Sequence, residues 1–144
     1  MGNFLQYESL RGLGVVANHG MVASGRFGQQ RTVAYNPPYE DRRTELNKDQ
    51  EGTFTAHGVD TSTGSFPAGP TPFTRKTQVK FVGVELLSLP AGSYKACRYD
   101  VRVDDGPISR EWLYRGVLVR QERQNATDIE VLELKSGALN GVPL

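Results

Sequence analysis

Residues Tyr94 to Tyr114 read YKACRYDVRVDDGPISREWLY, and the reading of this stretch decides the fold. Cys97, Tyr99, Val101 and Val103 alternate with Arg98, Asp100 and Arg102. That two-residue period belongs to a strand with one buried and one wet face. The run stops at Asp104-Asp105-Gly106-Pro107, where glycine tolerates positive φ and Pro107 has no N–H to offer a ladder. Beyond it Ile108, Arg110, Trp112 and Tyr114 alternate with Ser109, Glu111 and Leu113. The stretch predicts a β-hairpin. Pairing Val103 with Ile108 sets Tyr99 opposite Trp112 and Cys97 opposite Tyr114, which makes one face a continuous apolar row. A slip of one residue would turn Trp112 to the face of Arg98, Asp100 and Arg102. The apolar register is expected, although it sets Asp100 against Glu111.

Working outward, Pro90-Ala91-Gly92 separates the run Val79–Leu89 from Tyr94–Val103, and Gly116 separates Tyr114 from Val117–Gln121. The chain turns again near Gln124-Asn125-Ala126-Thr127 and returns as Ile129–Leu134. Pairing Val119 with Val131 sets Leu118 against Leu132 and Arg120 against Glu130. A core meander of neighbouring strands is therefore predicted over residues 78–134. Residues 1–77 read as an irregular lead-in. Within it Asn3–Tyr7 is a short strand, and Leu13, Val15 and Ala17 lie in a strand that turns at Asn18-His19-Gly20. Arg31–Tyr35 is a strand ended by Asn36-Pro37-Pro38, and Tyr39–Glu51 is a polar loop. Gly52–Ala56 is strand-like, and the Gly-, Ser-, Thr- and Pro-rich Asp60–Pro72 is a long flexible loop. Lys135–Leu144 is expected to add an edge strand. The predicted fold is mainly β with little helix. It is a single domain over residues 1–144, an antiparallel meander sheet shaped as a curved half-barrel or small sandwich.

Composition agrees with this class. The 144 residues include 16 Gly and 8 Pro, and 38% are hydrophobic, as suits a β-protein with many turns. A net charge of +1 and isolated basic pairs at Arg42-Arg43 and Arg75-Lys76 argue against nucleic acid as a partner. The single cysteine, Cys97, excludes an internal disulfide and a Cys-rich zinc site. No apolar run reaches the ~18 residues of a membrane span. Nor does a charged segment followed by an apolar one open the chain. The protein is thus expected either in the cytoplasm or in a mature form whose signal has been removed.

No catalytic constellation stands out. Gly12-Leu13-Gly14-Val15-Val16-Ala17 matches a dinucleotide fingerprint in letters, but no apolar strand precedes it and Gly20 breaks any helix after it. His19 and His57 both sit beside glycine in expected turns, and Cys97 lies mid-strand, where a small buried hydrophobe is expected. A hydrolase using either histidine with Cys97 is the third-ranked alternative. Asp104 and Asp105 read as turn formers rather than metal ligands. Asn125-Ala126-Thr127 has the form of a glycosylation acceptor. No cofactor and no metal are expected. The candidate ligand or partner surface is the aromatic group Tyr94, Tyr99, Trp112 and Tyr114. If the sheet curls uncovered it would line a groove, and otherwise it is core beneath the N-terminal segment.

The run Leu89-Pro90-Ala91-Gly92-Ser93-Tyr94-Lys95-Ala96-Cys97-Arg98-Tyr99 resembles a pattern in bacterial β-rich proteins that are exported or lipid-anchored. Trp112, Gly116-Val117-Leu118-Val119-Arg120 and Leu139-Asn140-Gly141 continue that pattern, and Asn36-Pro37-Pro38 suits its entry to the middle strands. Many such domains are similar to the LolA/LolB-like fold, an incurved antiparallel sheet. The resemblance covers the second half of the chain and its motifs are structural. It implies a fold and a periplasmic or secreted location, and no activity.

The leading functional expectation is a non-enzymatic binding module. It would take an apolar small molecule or a partner chain on a curved sheet face or edge. The alternative is a structural or assembly module that forms oligomers through exposed strands. Oligomeric state and ligand identity do not follow from the sequence.

Overall fold

A computed structural model of the protein describes residues 3–10, 16–64, 67–139 and 141–144. Its strands are β1 (Asn3–Leu10), β2 (Val16–Ser24), β3 (Gln30–Asp41), β4 (Glu51–Thr63), β5 (Ala68–Leu89) and β6 (Gly92–Val103). They continue as β7 (Ile108–Tyr114), β8 (Val117–Gln124), β9 (Ile129–Glu133), β10 (Ala138–Leu139) and β11 (Val142–Pro143). Helix is confined, among the described residues, to single 3₁₀ turns at Arg26–Gly28 and Arg43–Glu45. The hydrogen-bonded order of the strands is the order of the chain from β1 to β9, with β10 and β11 forming a separate ribbon. The protein is mainly β, an antiparallel meander, as its alternation predicted. No helix among the described residues is long and apolar enough to cross a membrane.

Contacts gather the chain into two compact units, one of Met1–Glu45 with Thr53–Lys76 and one of Leu46–Gly52 with Thr77–Leu144. The first unit corrects the expected irregular lead-in, because its described residues are largely strands. Asn18, His19 and Gly20 lie inside β2 as a bulge, not at a turn. The Gly20 N–H donates to Asn18 Oδ1 at 3.0 Å, and Gly20 has φ +153°. A Cβ there would stand 2.2 Å from the Val33 carbonyl oxygen, so only glycine fits. Asn36-Pro37-Pro38 likewise bulges out of β3 without ending it: Asn18 pairs with Tyr39, while Gly20 already pairs with Ala34. The dinucleotide-like letters fall mostly on residues 11–15, outside the described residues.

The predicted Asp60–Pro72 loop is instead strand on both sides. β4 continues through Thr63, and β5 starts at Ala68. The Thr and Ser residues of 61–63 are compatible with a pleated ladder, and they pair with Gln30, Arg31 and Thr32. Pro70 and Pro72 are tolerated because the β5–β6 ladder begins only at Thr77 opposite Val103, leaving the start of β5 as an edge. Among the described residues of this unit the buried apolar side chains are Ala17, Val33 and Ala56. Beside it the Phe73 ring lies over Gly58, where an added Cβ would come within 2.8 Å of Phe73 Cζ. Phe73 also meets Tyr35 edge-on at 6.0 Å.

The second unit holds β6 to β9 and the later part of β5. Turns were placed where the sequence signalled them. Leu89 pairs with Gly92 across Pro90-Ala91. Arg115 and Gly116 both have positive φ, 51° and 79°, as a two-residue hairpin requires. The registers differ from those expected. Arg98, not Tyr99, stands opposite Trp112, and Arg102 opposite Ile108. The Gly106 N–H bonds the Val103 carbonyl at 3.1 Å, so the turn closes over 103–106 and Pro107 becomes an extra connecting residue. The slip replaces Asp100 against Glu111 with Asp100 against Arg110. In β8–β9, Arg120 pairs with Glu133 and Arg123 with Glu130, so Val119 does not face Val131. The expected C-terminal edge strand is the short β10–β11 ribbon.

Candidate functional site

The register of β6 and β7 sorts the second unit's side chains onto two faces. One carries Glu85, Leu87 and Leu89 of β5, Tyr94, Ala96, Arg98 and Asp100 of β6, and Arg110, Trp112 and Tyr114 of β7. A bulge between Trp112 and Leu113 puts both Val119 and Arg120 of β8 on this side. Leu87, Leu89, Tyr94, Ala96, Trp112 and Val119 pack as one buried cluster, closed over by Ala91, Tyr114, Leu134 and Leu144. The Tyr94 hydroxyl donates to the Ala91 carbonyl at 2.9 Å, and the Tyr94 and Tyr114 rings meet at 5.1 Å.

Trp112 is the centre of this indole face. Its Nε1–H donates to Glu85 Oε2 at 2.8 Å, and Glu85 Oε1 accepts from Arg98 at 3.0 Å. Arg98 and Arg120, the cross-strand neighbours of Trp112, hold their guanidinium carbons 5.8 and 5.2 Å from its ring centroid. Each cation is also tied to carboxylates: Arg98 to Asp100, and Arg120 to Glu122 and Glu133. The Nε of both arginines is buried with no hydrogen-bond acceptor among the described residues. Both guanidiniums lie within reach of a cation–π interaction with the indole ring. The indole hydrogen bond and then the Arg98 guanidinium hold the Glu85 carboxyl below its usual range, against the opposing effect of desolvation.

The other face, the open face, carries a row that the ladders align across four strands. Val84 of β5 pairs with Cys97 of β6, Cys97 with Leu113 of β7, and Leu113 with Leu118 of β8. Leu86 and Leu132 flank the row. Val84 is 61% exposed, Leu86 73%, Leu118 43% and Leu132 49%. Farther along the same face Val79, Tyr99 and Val101 are buried, with Phe81 against Tyr99 at 5.2 Å. The buried side therefore changes between Ala96 and Tyr99.

Three of the four aromatic residues proposed as a ligand surface come together, and one does not. Tyr94, Trp112 and Tyr114 share the indole face, whereas Tyr99 lies on the opposite side. Tyr94, Tyr99 and Trp112 are at most 5% exposed, so they are core and line no groove. Cys97, expected to be buried, is half-buried on the open face. His19 is exposed, and His57 Nδ1 meets Thr74 Oγ1 at 3.1 Å. Both histidines belong to the first unit and Cys97 to the second. Asp104 and Asp105 are exposed turn residues, and the Asn125 N–H bonds the Asp128 carbonyl at 2.8 Å within a turn. No group of three or more His, Cys, Asp or Glu side chains among the described residues is placed to hold a metal.

Comparison with protein families, curated proteins and solved structures finds no match. The chemistry of the two faces is what remains to be read. On the indole face cations and carboxylates neutralise one another around a buried ring. The open face leaves Val84, Leu86, Leu118 and Leu132 exposed. The one letter that could have found it is Gly83 inside β5: with φ +145° it accompanies a bulge after Phe81, and Val84 and Leu86 thereby join the side of Phe81.

Proposed function

We propose that the protein is a non-catalytic β-sheet binding module that takes a partner on the open face of its second unit. In this reading it is exported, to the periplasm or the cell exterior, as the resemblance of its second half implies. The observation that carries the proposal is the exposure of Val84, Leu86, Leu118 and Leu132 around one register-aligned row. Side chains exposed to this extent amount to an apolar patch on the order of 400 Å², the size of the largest patch on a typical monomer, which is often functional. The occupant is an apolar molecule or a partner chain.

Native mass spectrometry of freshly purified protein tests the reading, because it shows bound small molecules and subunit number together. Either an adduct or an assembled species, lost in a Leu86→Lys variant, is the expected result. A bare monomer whose spectrum and stability ignore Leu86→Lys would remove the proposal. An assembly role through strand edges is the second reading. It is favoured by β9, whose residues Ile129–Glu133 are all exposed at the end of the strand order.

A further inference from the structure

We propose that β9 is a docking edge for the β9 of a second copy of this chain, the two strands pairing antiparallel about a two-fold axis at Val131 and perpendicular to the sheet. This rests on the second reading above, assembly through strand edges, and adds the partner and the register. The direction of each backbone group in β9 follows from its ladder on β8. The Asn125 N–H bonds the Asp128 carbonyl at 2.8 Å, and the Leu134 N–H bonds the Val119 carbonyl at 2.9 Å. Bonded pairs alternate along an antiparallel ladder, so the bonded pairs between these ends are Arg123 with Glu130 and Gln121 with Leu132. Ile129, Val131 and Glu133 therefore turn their N–H and C=O groups away from β8. The strand order ends at β9, and no strand among the described residues pairs with those groups.

Other edges of the chain are blunted and this one is not. Pro70 and Pro72 stand in the start of β5, and β1 shifts register on its neighbour between Tyr7 and Glu8. β9 has neither device; its residues Ile129–Glu133 are all exposed, and Ile129 and Val131 are β-branched. The strand also fits itself. With Val131 opposite its symmetry mate, Ile129 meets Glu133 of the partner subunit and Glu130 meets Leu132 of the partner subunit, so no like charges stand directly opposite. The two copies of Glu130 are diagonal to each other, each opposite its own Arg123. A shift of one residue would set outward backbone groups against inward ones. A shift of two would either bring the two Glu130 face to face or carry Ile129 past the end of the partner strand. One register alone uses the whole strand, and an edge that completes itself in a single register names its own copy as occupant. The axis leaves the open faces of both copies on the same side of the joined sheet.

Sedimentation of the full chain from about 1 to about 300 µM is expected to show monomer passing to dimer. Val131→Pro removes only an outward N–H, at a position where an edge strand tolerates proline. It should weaken the dimer at least ~10-fold with unchanged circular dichroism. Leu86→Lys, on the open face, should leave the dimer as it is. Cross-linking reads the register and does not depend on the proline variant folding. In a Cys97→Ser background, Val131→Cys places two thiols across the axis on Cα atoms about 5.5 Å apart, within disulfide reach. The two copies of Ile129→Cys lie about 13 Å apart along the strand, beyond that reach. Val131→Cys should therefore oxidise to a dimer at least ~10-fold faster, although Ile129 is the more exposed, 67% against 45%. A dimer that survives Val131→Pro overturns the proposal, and its loss in Leu86→Lys then moves assembly to the open face. A dimer lost in Val131→Pro but cross-linked no faster through Val131→Cys overturns the two-fold register and leaves β9 a docking edge. A monomer at every concentration overturns both the second copy and assembly through edges.

Discussion

The two faces of the second unit reverse what composition alone would assign to them. The face rich in arginine and glutamate is sealed, and the face whose central row is Val84, Cys97, Leu113 and Leu118 is open. The difference lies in what each side chain finds across the ladder. Trp112 finds Arg98 and Arg120 on its ring and Glu85 on its N–H, so charges complete the burial of an aromatic residue. Val84 and Leu118 find only Cys97 and Leu113 across their ladders and stay 61% and 43% exposed. Residue type thus sorts the faces less well than the completeness of each residue's partners.

The largest expected effect breaks the indole face. Trp112→Ala removes a buried ring, its hydrogen bond and both cation–π contacts. Its cost to the second unit should be about 3–5 kcal/mol by denaturant unfolding. A loss below about 1 kcal/mol would mean that the ring is not structural.

An intermediate effect tests the carboxylate beneath it. Glu85→Gln keeps an acceptor for the indole but loses the charge, at about 1 kcal/mol near neutral pH. Because the folded Glu85 carboxyl is held below the ordinary glutamate range, its contribution is complete above that range and disappears as pH falls through the folded value. Wild type should therefore lose stability between neutral pH and pH ~3, and Glu85→Gln should lose less over the same interval. Equal acid sensitivity in the two proteins would show that other carboxylates set it.

The smallest effect belongs to the open face. Leu118→Ser, at a side chain 43% exposed, should change monomer stability by no more than about 0.5 kcal/mol in thermal unfolding at low concentration. A cost several times larger would show that this face is covered and would erase the contrast.

Turns and fold class were legible because they are local. Asp104-Asp105-Gly106-Pro107, Pro90-Ala91-Gly92 and Arg115-Gly116 each state their backbone needs within a few residues. The register of β6 on β7 was not. It depends on Glu85, far upstream, and on Arg120 in the next strand, neither of which belongs to the hairpin being read. Alternation also assumes one buried face per strand, and β6 buries Tyr94 and Ala96 on one side but Tyr99 and Val101 on the other. In the first unit the strands were masked by their own composition. Gly20, Gly58 and Pro70 mark bulges, ring seats and edges there, where a sequence reading took such letters for loop. The open face escaped notice for a related reason. Gly83 shifts the phase of β5, and only the shifted phase aligns Val84 with Cys97.

The indole between two guanidiniums has an optical consequence. Trp112 is the chain's only tryptophan and belongs wholly to the second unit, whereas Tyr35, Tyr39 and Phe73 cluster in the first. Light emitted at tryptophan wavelengths thus reports directly on the second unit. A transition that far-ultraviolet dichroism records and this emission misses leaves the surroundings of Trp112 intact, and it needs no label to be told apart.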